Sequence, residues 1–169
     1  IQKGYNILEL DTYFTSEILV HNIPPRKCFT GDTMITLFDG TFEQIEKITP
    51  GVKIKTYDIE SGRLHNSKIS EVVKILHDNI VTYTFDNNTK ITATDDHPFY
   101  IVGDSEVDSD YRPLQIGDKV LTDELNQLEV VHIDVVNEEQ VTYNIEKTRN
   151  GNYFANKVLV SDESEIPYT

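Results

Sequence analysis

Cys28 is the residue of this chain whose type and surroundings most suggest covalent chemistry. It is the only cysteine among 169 residues. A Gly-Asp-Thr turn (Gly31 to Thr33) and an alternating strand pattern over 34–37 follow it. This context places the thiol at the mouth of a β-structure, where we expect it to be exposed enough to react. The competing interpretation is a small buried hydrophobic residue, which is the commoner state of an isolated cysteine.

A threonine and a histidine further along the chain could assist such a thiol. They stand three residues apart in the segment Thr94-Asp95-Asp96-His97-Pro98. An imidazole with a pKa near neutrality can donate a proton to a departing nitrogen, and a hydroxyl can help to hold a tetrahedral intermediate. The two side chains converge only if the segment forms a turn, which the Asp-Asp pair before proline favours. Without that turn, His97 is a core histidine and Thr94 an ordinary strand residue.

The elements that must position these residues are short strands. Alternating apolar and polar runs end in Gly, Asn or Asp at intervals of roughly ten residues, which predicts an all-β fold. The segment 42–48 predicts one short helical turn, and the acidic stretch 103–110 predicts an exposed loop. The predicted strands include 34–37, 52–57, 68–76, 81–85, 90–94, 99–102, 119–122, 127–136, 140–146 and 153–160.

Composition excludes several classes of partner. The net charge of −14 opposes binding to nucleic-acid phosphates, and the 15 Lys and Arg residues form no basic run. No apolar run has membrane-spanning length, so we expect neither a nucleic-acid nor a membrane partner. A single cysteine rules out an internal disulfide framework and suits a reducing compartment, although the localisation stays open. No Cys-x-x-Cys or His-x-x-x-His pair occurs, so we expect no structural metal and no cofactor.

Five segments in a fixed order resemble the Hint superfamily of hedgehog and intein autoprocessing domains, and within it the bacterial intein-like branch. Each segment alone is a weak match, but the shared order is specific. The resemblance covers residues 28–162 and implies an all-β, horseshoe-like Hint fold with pseudo-two-fold symmetry. The segments are Cys28 to Thr33, Ile45 to Gly51, Thr94 to Pro98, Pro113 to Leu121, and 143–146 together with 152–160.

The resemblance also implies a function, which is autocatalytic processing with the flanking polypeptide as substrate. The sulfur of Cys28 would attack the carbonyl of Lys27 and convert the amide to a thioester in a single-turnover reaction. His97 would supply the proton and Thr94 would support the intermediate. An amide is more stable than a thioester, so the protein must strain the bond or stabilise the products. A zinc ion captured by Cys28 and His97 would inhibit this reaction.

The C-terminal junction departs from the family pattern. The family usually ends in His-Asn followed by Cys, Ser or Thr, whereas this chain has Ser161-Asp162-Glu163. The Asp162 carboxylate stands at the catalytic position but is a poorer intramolecular nucleophile than an amide, and Ser161 cannot assist as histidine would. Asn144 and Asn152 replace residues that are commonly Asp and His in inteins. We therefore expect N-terminal cleavage without full splicing, and whether Ser161-Asp162 is natural or engineered stays open.

Residues 1–22 repeat the C-terminal hairpin. Tyr5-Asn6-Ile7 matches 143–145, and Tyr13-Phe14 matches 153–154. The first copy ends in His21-Asn22, an alternative junction, and a Pro-Pro spacer follows. Because the chain lacks a starting methionine and an apolar leader, we expect it to be cut from a larger precursor.

The predicted organisation is therefore an upstream segment over 1–27, a Hint domain over 28–162 and a downstream tail over 163–169. Two rival functions remain. One is an inactive Hint relic that serves as a linker or interaction module in a polyprotein. The other is a cysteine hydrolase acting in trans, for which His97 has no evident Asn or Asp orienter. His65, His77 and His132 are interpreted as surface or edge-strand residues, and which hairpin closes the fold stays open.

Overall fold

The computed structural model describes residues 27–103 and 109–162. The upstream hairpin with His21 and Asn22, most of the acidic loop, and the tail from Glu163 onward lie outside these residues. The predictions made for those segments therefore stay predictions.

Nearly all regular structure in the described residues is β-strand, which confirms the all-β prediction. The only helical elements there are two 3-10 turns, Ile45–Lys47 and Arg149–Gly151. None of the helical segments in the described ranges is long and apolar enough to cross a membrane. The strands are β1 (Phe29–Thr30), β2 (Met34–Thr36), β3 (Phe42–Gln44), β4 (Lys53–Asp58), β5 (Arg63–Lys68), β6 (Glu71–His77), β7 (Ile80–Phe85), β8 (Lys90–Thr94), β9 (Phe99–Ile101), β10 (Asp110–Arg112), β11 (Lys119–Leu121), β12 (Gln127–Val136), β13 (Gln140–Glu146), β14 (Asn152–Ala155) and β15 (Val158–Ser161).

Thirteen strands share one antiparallel network, and β4 and β5 form a separate pair. The network order is β3-β2-β14-β15-β9-β11-β12-β7-β8-β1-β13-β6, with β10 paired to β9. Strand β1 therefore lies between β8 and β13, where Phe29 pairs with Ala93 on one side and Tyr143 on the other. Strand β15 pairs with β14 and, at Val160, with Phe99 of β9. This order brings the two ends of the described chain into one interior.

Alternating burial explains why these segments become strands. In β7 the side chains of Ile80, Val81, Tyr83 and Phe85 are buried, whereas those of Thr82 and Thr84 are only partly buried. Burying a side chain of this size contributes about 1.5–3 kcal/mol. The fully buried aromatic residues gather around Phe29, whose ring meets Phe99 and Tyr153 edge to face at 6.0 and 6.2 Å. The core is thus packed directly behind Cys28.

Two strand predictions were wrong in their boundaries. The strand predicted over 68–76 is β6 alone, preceded by an unpredicted strand β5 whose side chains are largely polar and which pairs with β4. The run 153–160 is a hairpin, because Asn156 and Lys157 adopt positive φ angles of 46° and 70° and reverse the chain. The sequence did not decide whether this hairpin or its upstream copy closes the fold. In the structure this hairpin pairs with β2 through β14 and with β9 through β15.

The three unmatched histidines lie at the surface or on edge strands, as predicted, since His77 belongs to β6, the last strand in the order of the described network. His132 is exposed and His65 is partly exposed, as expected. His77 is buried, with its Nδ1 2.6 Å from the Thr142 hydroxyl of the neighbouring strand. That contact satisfies the ring and makes His77 a structural residue.

Candidate functional site

Cys28 lies immediately before β1 and is fully buried. The expectation of an exposed thiol is wrong, because β1 is enclosed by strands on both sides. The Cys28 N–H donates to Thr94 Oγ1 at 3.2 Å, and its carbonyl accepts from the Thr94 N–H at 2.9 Å. Such a thiol is within reach of groups of its own chain but is shielded from external peptides.

The predicted turn after Thr94 is present. The His97 N–H donates to the Thr94 carbonyl at 3.2 Å, and Asn79 holds Asp95 through its backbone carbonyl and its side-chain amide. The Thr94 hydroxyl faces the Lys27–Cys28 peptide, as expected. It contacts the amide nitrogen, so it lies on the leaving-group side of that bond.

His97 stands between the two ends of the domain. Its buried ring lies 4.1 Å from the Phe29 ring, and Nε2 lies 3.0 Å from the Ser161 carbonyl oxygen. A carbonyl oxygen can only accept, so Nε2 carries the hydrogen and Nδ1 holds the lone pair of a neutral ring. Nδ1 is buried with no hydrogen bond of standard geometry, while the backbone of Lys27 is near enough to influence the ring. The His97 ring therefore lies next to the backbone of Lys27 at one junction and that of Ser161 at the other.

Burial lowers the pKa of His97 from 6.5 to about 3. The hydrogen bond to Ser161 and the backbone of Lys27 oppose this shift, and the charge of Lys27 adds to it. We expected a ring with a pKa near neutrality that could donate at once. At neutral pH the buried ring is instead an acceptor, and it must first receive a proton before it can donate one.

Asp162, at the other junction, is held through its N–H, its carbonyl oxygen and its Oδ2. It is 1% exposed, and its N–H donates to the Gly151 carbonyl at 3.0 Å. Its Oδ2 accepts from the Thr148 N–H at 2.8 Å and lies 2.7 Å from the Thr148 hydroxyl. Its carbonyl oxygen accepts from Asn144 Nδ2 at 2.8 Å. The backbone and the carboxylate of this residue are both fixed.

Tyr153 forms a hydrogen bond with the side-chain oxygen of Asn144. Its buried hydroxyl donates to Asn144 Oδ1 at 2.5 Å. Burial raises the pKa of Tyr153 well above 10, and the nearby Cys28, Asp162 and Glu146 raise it further against a lowering contribution from the Ile145 backbone. The phenol therefore remains protonated and remains a donor.

Asn152 has a structural role at the position where inteins commonly have histidine. Its Oδ1 accepts from the Tyr57 N–H, and its Nδ2 donates to the Tyr57 carbonyl, both at 2.8 Å. The same amide donates to the Tyr111 hydroxyl at 3.0 Å. The Asn152 side chain thus connects β14 to β4 by bonding the N–H and the carbonyl of Tyr57, as the backbone of a paired strand would.

The structure brings Cys28, Thr94, His97, Asn144 and Asp162 to one interior region, with the Ser161 carbonyl bonded to His97. Sequence reasoning did not select Thr148 or Tyr153 as site residues. Thr148 belongs to no matched segment, so no pattern could have identified it. Tyr153 lies in the repeated Tyr-Phe pair, which was a usable indication of its importance.

Metal binding remains a prediction. Among residues 27–103 and 109–162, no three His, Cys, Asp or Glu side chains gather as metal ligands. Cys28 and His97 would supply two ligands for the inhibitory zinc ion, and a third would have to come from solvent or from elsewhere in the chain.

Solved structures with the same fold are inteins and intein-like domains. The chain is similar to the bacterial intein-like domain from Clostridium thermocellum, with 26% identity, a TM-score of 0.69 and coverage of 81% of this chain and 99% of that one. It is also similar to the DnaB intein from Synechocystis, with 18% identity, a TM-score of 0.67 and coverage of 80% and 98%. For the gp41-1 intein the values are 15% identity, a TM-score of 0.62 and coverage of 81% and 99%. No protein-family model and no curated protein sequence matches the chain.

Proposed function

We propose that this chain, which has the Hint fold of bacterial intein-like domains and inteins, is an autoprocessing domain that cuts its own Lys27–Cys28 bond. Its substrate is the polypeptide attached to Cys28, and its product is a thioester that water or an added thiol resolves. The observation that carries the proposal is the position of His97, whose ring lies between the Lys27 backbone and the Ser161 carbonyl.

The first step is proton transfer from the Cys28 thiol to Nδ1 of His97. The lone pair of the neutral ring is on Nδ1, which has no hydrogen bond of standard geometry among the described residues. The low pKa of the ring makes this transfer uphill, so the thiolate forms only as a short-lived species. The sulfur then attacks the Lys27 carbonyl carbon and forms a tetrahedral intermediate. A thiolate is the reactive form of cysteine, so removal of this proton starts the reaction.

The second step returns the proton. His97 donates it from Nδ1 to the Cys28 nitrogen, the carbon–nitrogen bond breaks, and Lys27 is left as a thioester on the Cys28 sulfur. The low pKa of the buried imidazolium makes it a strong acid, which favours protonation of a poor leaving group. Thr94 Oγ1 contacts the same nitrogen and stabilises the positive charge that develops there.

Resolution of the thioester completes N-terminal cleavage. Water or a thiol attacks the thioester carbonyl, releases residues 1–27 and regenerates the Cys28 thiol. Ligation of the two flanks would require a hydroxyl or thiol at position 163 to accept the acyl group and an amide nucleophile at position 162, whereas this chain has Glu163 and Asp162. We therefore propose cleavage without splicing.

Burial of Cys28 argues against a cysteine hydrolase acting in trans. Its relative exposure is 0%, and β1 is paired on both sides. A peptide from another molecule would have to separate strands to reach the sulfur. The attached Lys27 needs no such opening.

Purified full-length chain incubated with dithiothreitol and EDTA tests the proposal. Mass spectrometry should detect release of residues 1–27, and Cys28→Ala should abolish this release while the chain stays folded. Cys28→Ser offers an oxygen nucleophile and should retain at most slow cleavage. An unchanged mass after days at several pH values would favour the inactive-relic hypothesis instead.

A further inference from the structure

A continuous path of buried hydrogen bonds leads from the core to the carbonyl of Asp162. The Tyr153 hydroxyl donates to Asn144 Oδ1, and Asn144 Nδ2 donates to the Asp162 carbonyl oxygen at 2.8 Å. Tyr153 and Asn144 are fully buried, and Asp162 is 1% exposed. The described residues around this path therefore leave bulk water little opportunity to replace any of the three groups.

The direction of the path depends on how the Asn144 amide is turned. A side-chain amide has an accepting oxygen and a donating nitrogen, and a rotation of 180° exchanges them. The Asp162 carbonyl requires the nitrogen, because it can only accept. The Tyr153 hydroxyl supplies a donor for the opposite end, so the two partners favour the same orientation.

Tyr153 also lies beside the other junction. Cys28 is near enough to raise the pKa of this phenol, and the Phe29 and Tyr153 rings meet at 6.2 Å. The hydroxyl that orients Asn144 thus belongs to a side chain packed against the residues of the N-terminal cut. Tyr83 is another buried tyrosine, and its ring packs against Phe99 at 5.4 Å.

We propose that Tyr153 is a positioning residue of the C-terminal junction, which turns the Asn144 NH2 group toward the carbonyl oxygen of Asp162. Negative charge develops on that oxygen when the Asp162–Glu163 bond is attacked, and a preoriented N–H donor stabilises it. The role of this junction as a bond to be cut rests on the proposed function, whereas the orientation of Asn144 does not.

The orientation is tested by NMR on the 15N-labelled full chain. Replacing Tyr153 by Phe removes only the hydroxyl, so the Asn144 side-chain NH2 signals should shift and should exchange with deuterated water at least about tenfold faster. Tyr83→Phe is the matched control and should leave those signals unchanged. Unchanged Asn144 signals in the Tyr153→Phe chain would overturn the proposal.

The role in bond cleavage is tested in an Asp162→Asn background, which supplies the side-chain amide that the family uses as nucleophile. Adding Tyr153→Phe should slow cleavage after residue 162 by about tenfold or more, because the oxyanion loses an oriented donor. Release of residues 1–27 should slow by a smaller factor than cleavage after residue 162, because the lost hydroxyl donates to Asn144. Equal losses at both junctions, or no cleavage after residue 162 in either chain, would overturn the role.

The two proposals fail in different ways. If residues 1–27 are never released, the proposed thioester chemistry is wrong, yet the NMR signals and the cleavage after residue 162 still decide the role of Tyr153. Asn144→Leu in the same background should reproduce the loss at residue 162, because it removes the donor itself.

Discussion

The Lys27–Cys28 junction and the Asp162 junction share His97 but are bonded very differently. Beside Cys28, Nδ1 of His97 is buried without a hydrogen bond of standard geometry. Around Asp162, by contrast, the N–H, the carbonyl oxygen and Oδ2 all have partners. The first junction holds the thiol and the imidazole to which we assign the proposed cut, and the second holds a well-bound carbonyl without a side-chain amide at position 162. If the proposed function is correct, hydrogen bonding of a junction peptide and its cleavage are separable properties of this domain.

Of the substitutions considered, His97→Gln should slow release of residues 1–27 the most. Glutamine can still donate to the Ser161 carbonyl but cannot shuttle a proton, so release of residues 1–27 should slow by about 10²- to 10⁴-fold. The rate is measured by mass spectrometry after thiol addition. His77→Gln replaces another buried histidine and should leave the rate nearly unchanged. Similar losses in the two chains would mean that the His97 effect is structural.

Thr94→Val should have a smaller effect at the same junction. The substitution keeps the shape but removes the acceptor of the Cys28 N–H, so cleavage should slow by about 10- to 100-fold. Thr94→Ser keeps the hydroxyl and should restore most of the rate. If valine and serine behave alike, the hydroxyl has no part in the reaction.

Acid should weaken the fold through His97. Its pKa is about 3 in the folded chain and about 6.5 when unfolded, so the unfolded chain binds more protons between these values. The stability due to the neutral ring is complete above pH 6.5 and declines below it by up to about 1.4 kcal/mol per pH unit. Urea unfolding between pH 7 and 4.5 measures this slope. His97→Gln should unfold with a shallower pH dependence, and equal slopes would contradict the assignment.

Thr148→Val should affect the second junction alone. It removes the hydroxyl beside Asp162 Oδ2, and we expect a loss of about 1–3 kcal/mol in the free energy of unfolding. Release of residues 1–27 should keep its rate, since Thr148 makes no described contact with Cys28 or His97. Thr148→Ser should recover the stability. A slower N-terminal cut would show that the two junctions are coupled through Asp162.

Local pattern was sufficient to predict much of the fold. The alternation in β7 and β8 and the Asp-Asp-His-Pro turn depend on residues that are adjacent in the chain. Such features can be predicted from one sequence. The polar strand β5 was missed because its stability comes from pairing with β4 rather than from its own composition. The turn at Asn156 and Lys157 was missed because apolar residues continue on both sides of it, so that 153–160 resembles one strand although asparagine favours turns.

Properties that depend on distant neighbours could not be read from the site motif. Cys28 is buried because Ala93 and Tyr143 enclose β1, and both lie far from it in sequence. The low pKa of His97 results from the same enclosure. Thr148 contacts Asp162, 14 residues further along the chain, because β13 and the β14–β15 hairpin bring the two residues together. Motif matching selected the candidate site residues, but their protonation and their burial required the packed structure.

If the Lys27–Cys28 bond is cut as proposed, the pairing of β1 has a consequence for the product. Phe29 is paired to Ala93 and Tyr143, and Thr30 to Thr142, so none of these pairings depends on Lys27. The new amino group at Cys28 would therefore remain at the position that a second substrate would have to occupy. Each copy of the domain would then complete a single turnover. The same retention keeps that amine next to the thioester, ready to take the acyl group back. The yield of cut product at a given time should consequently rise with the concentration of the trapping thiol.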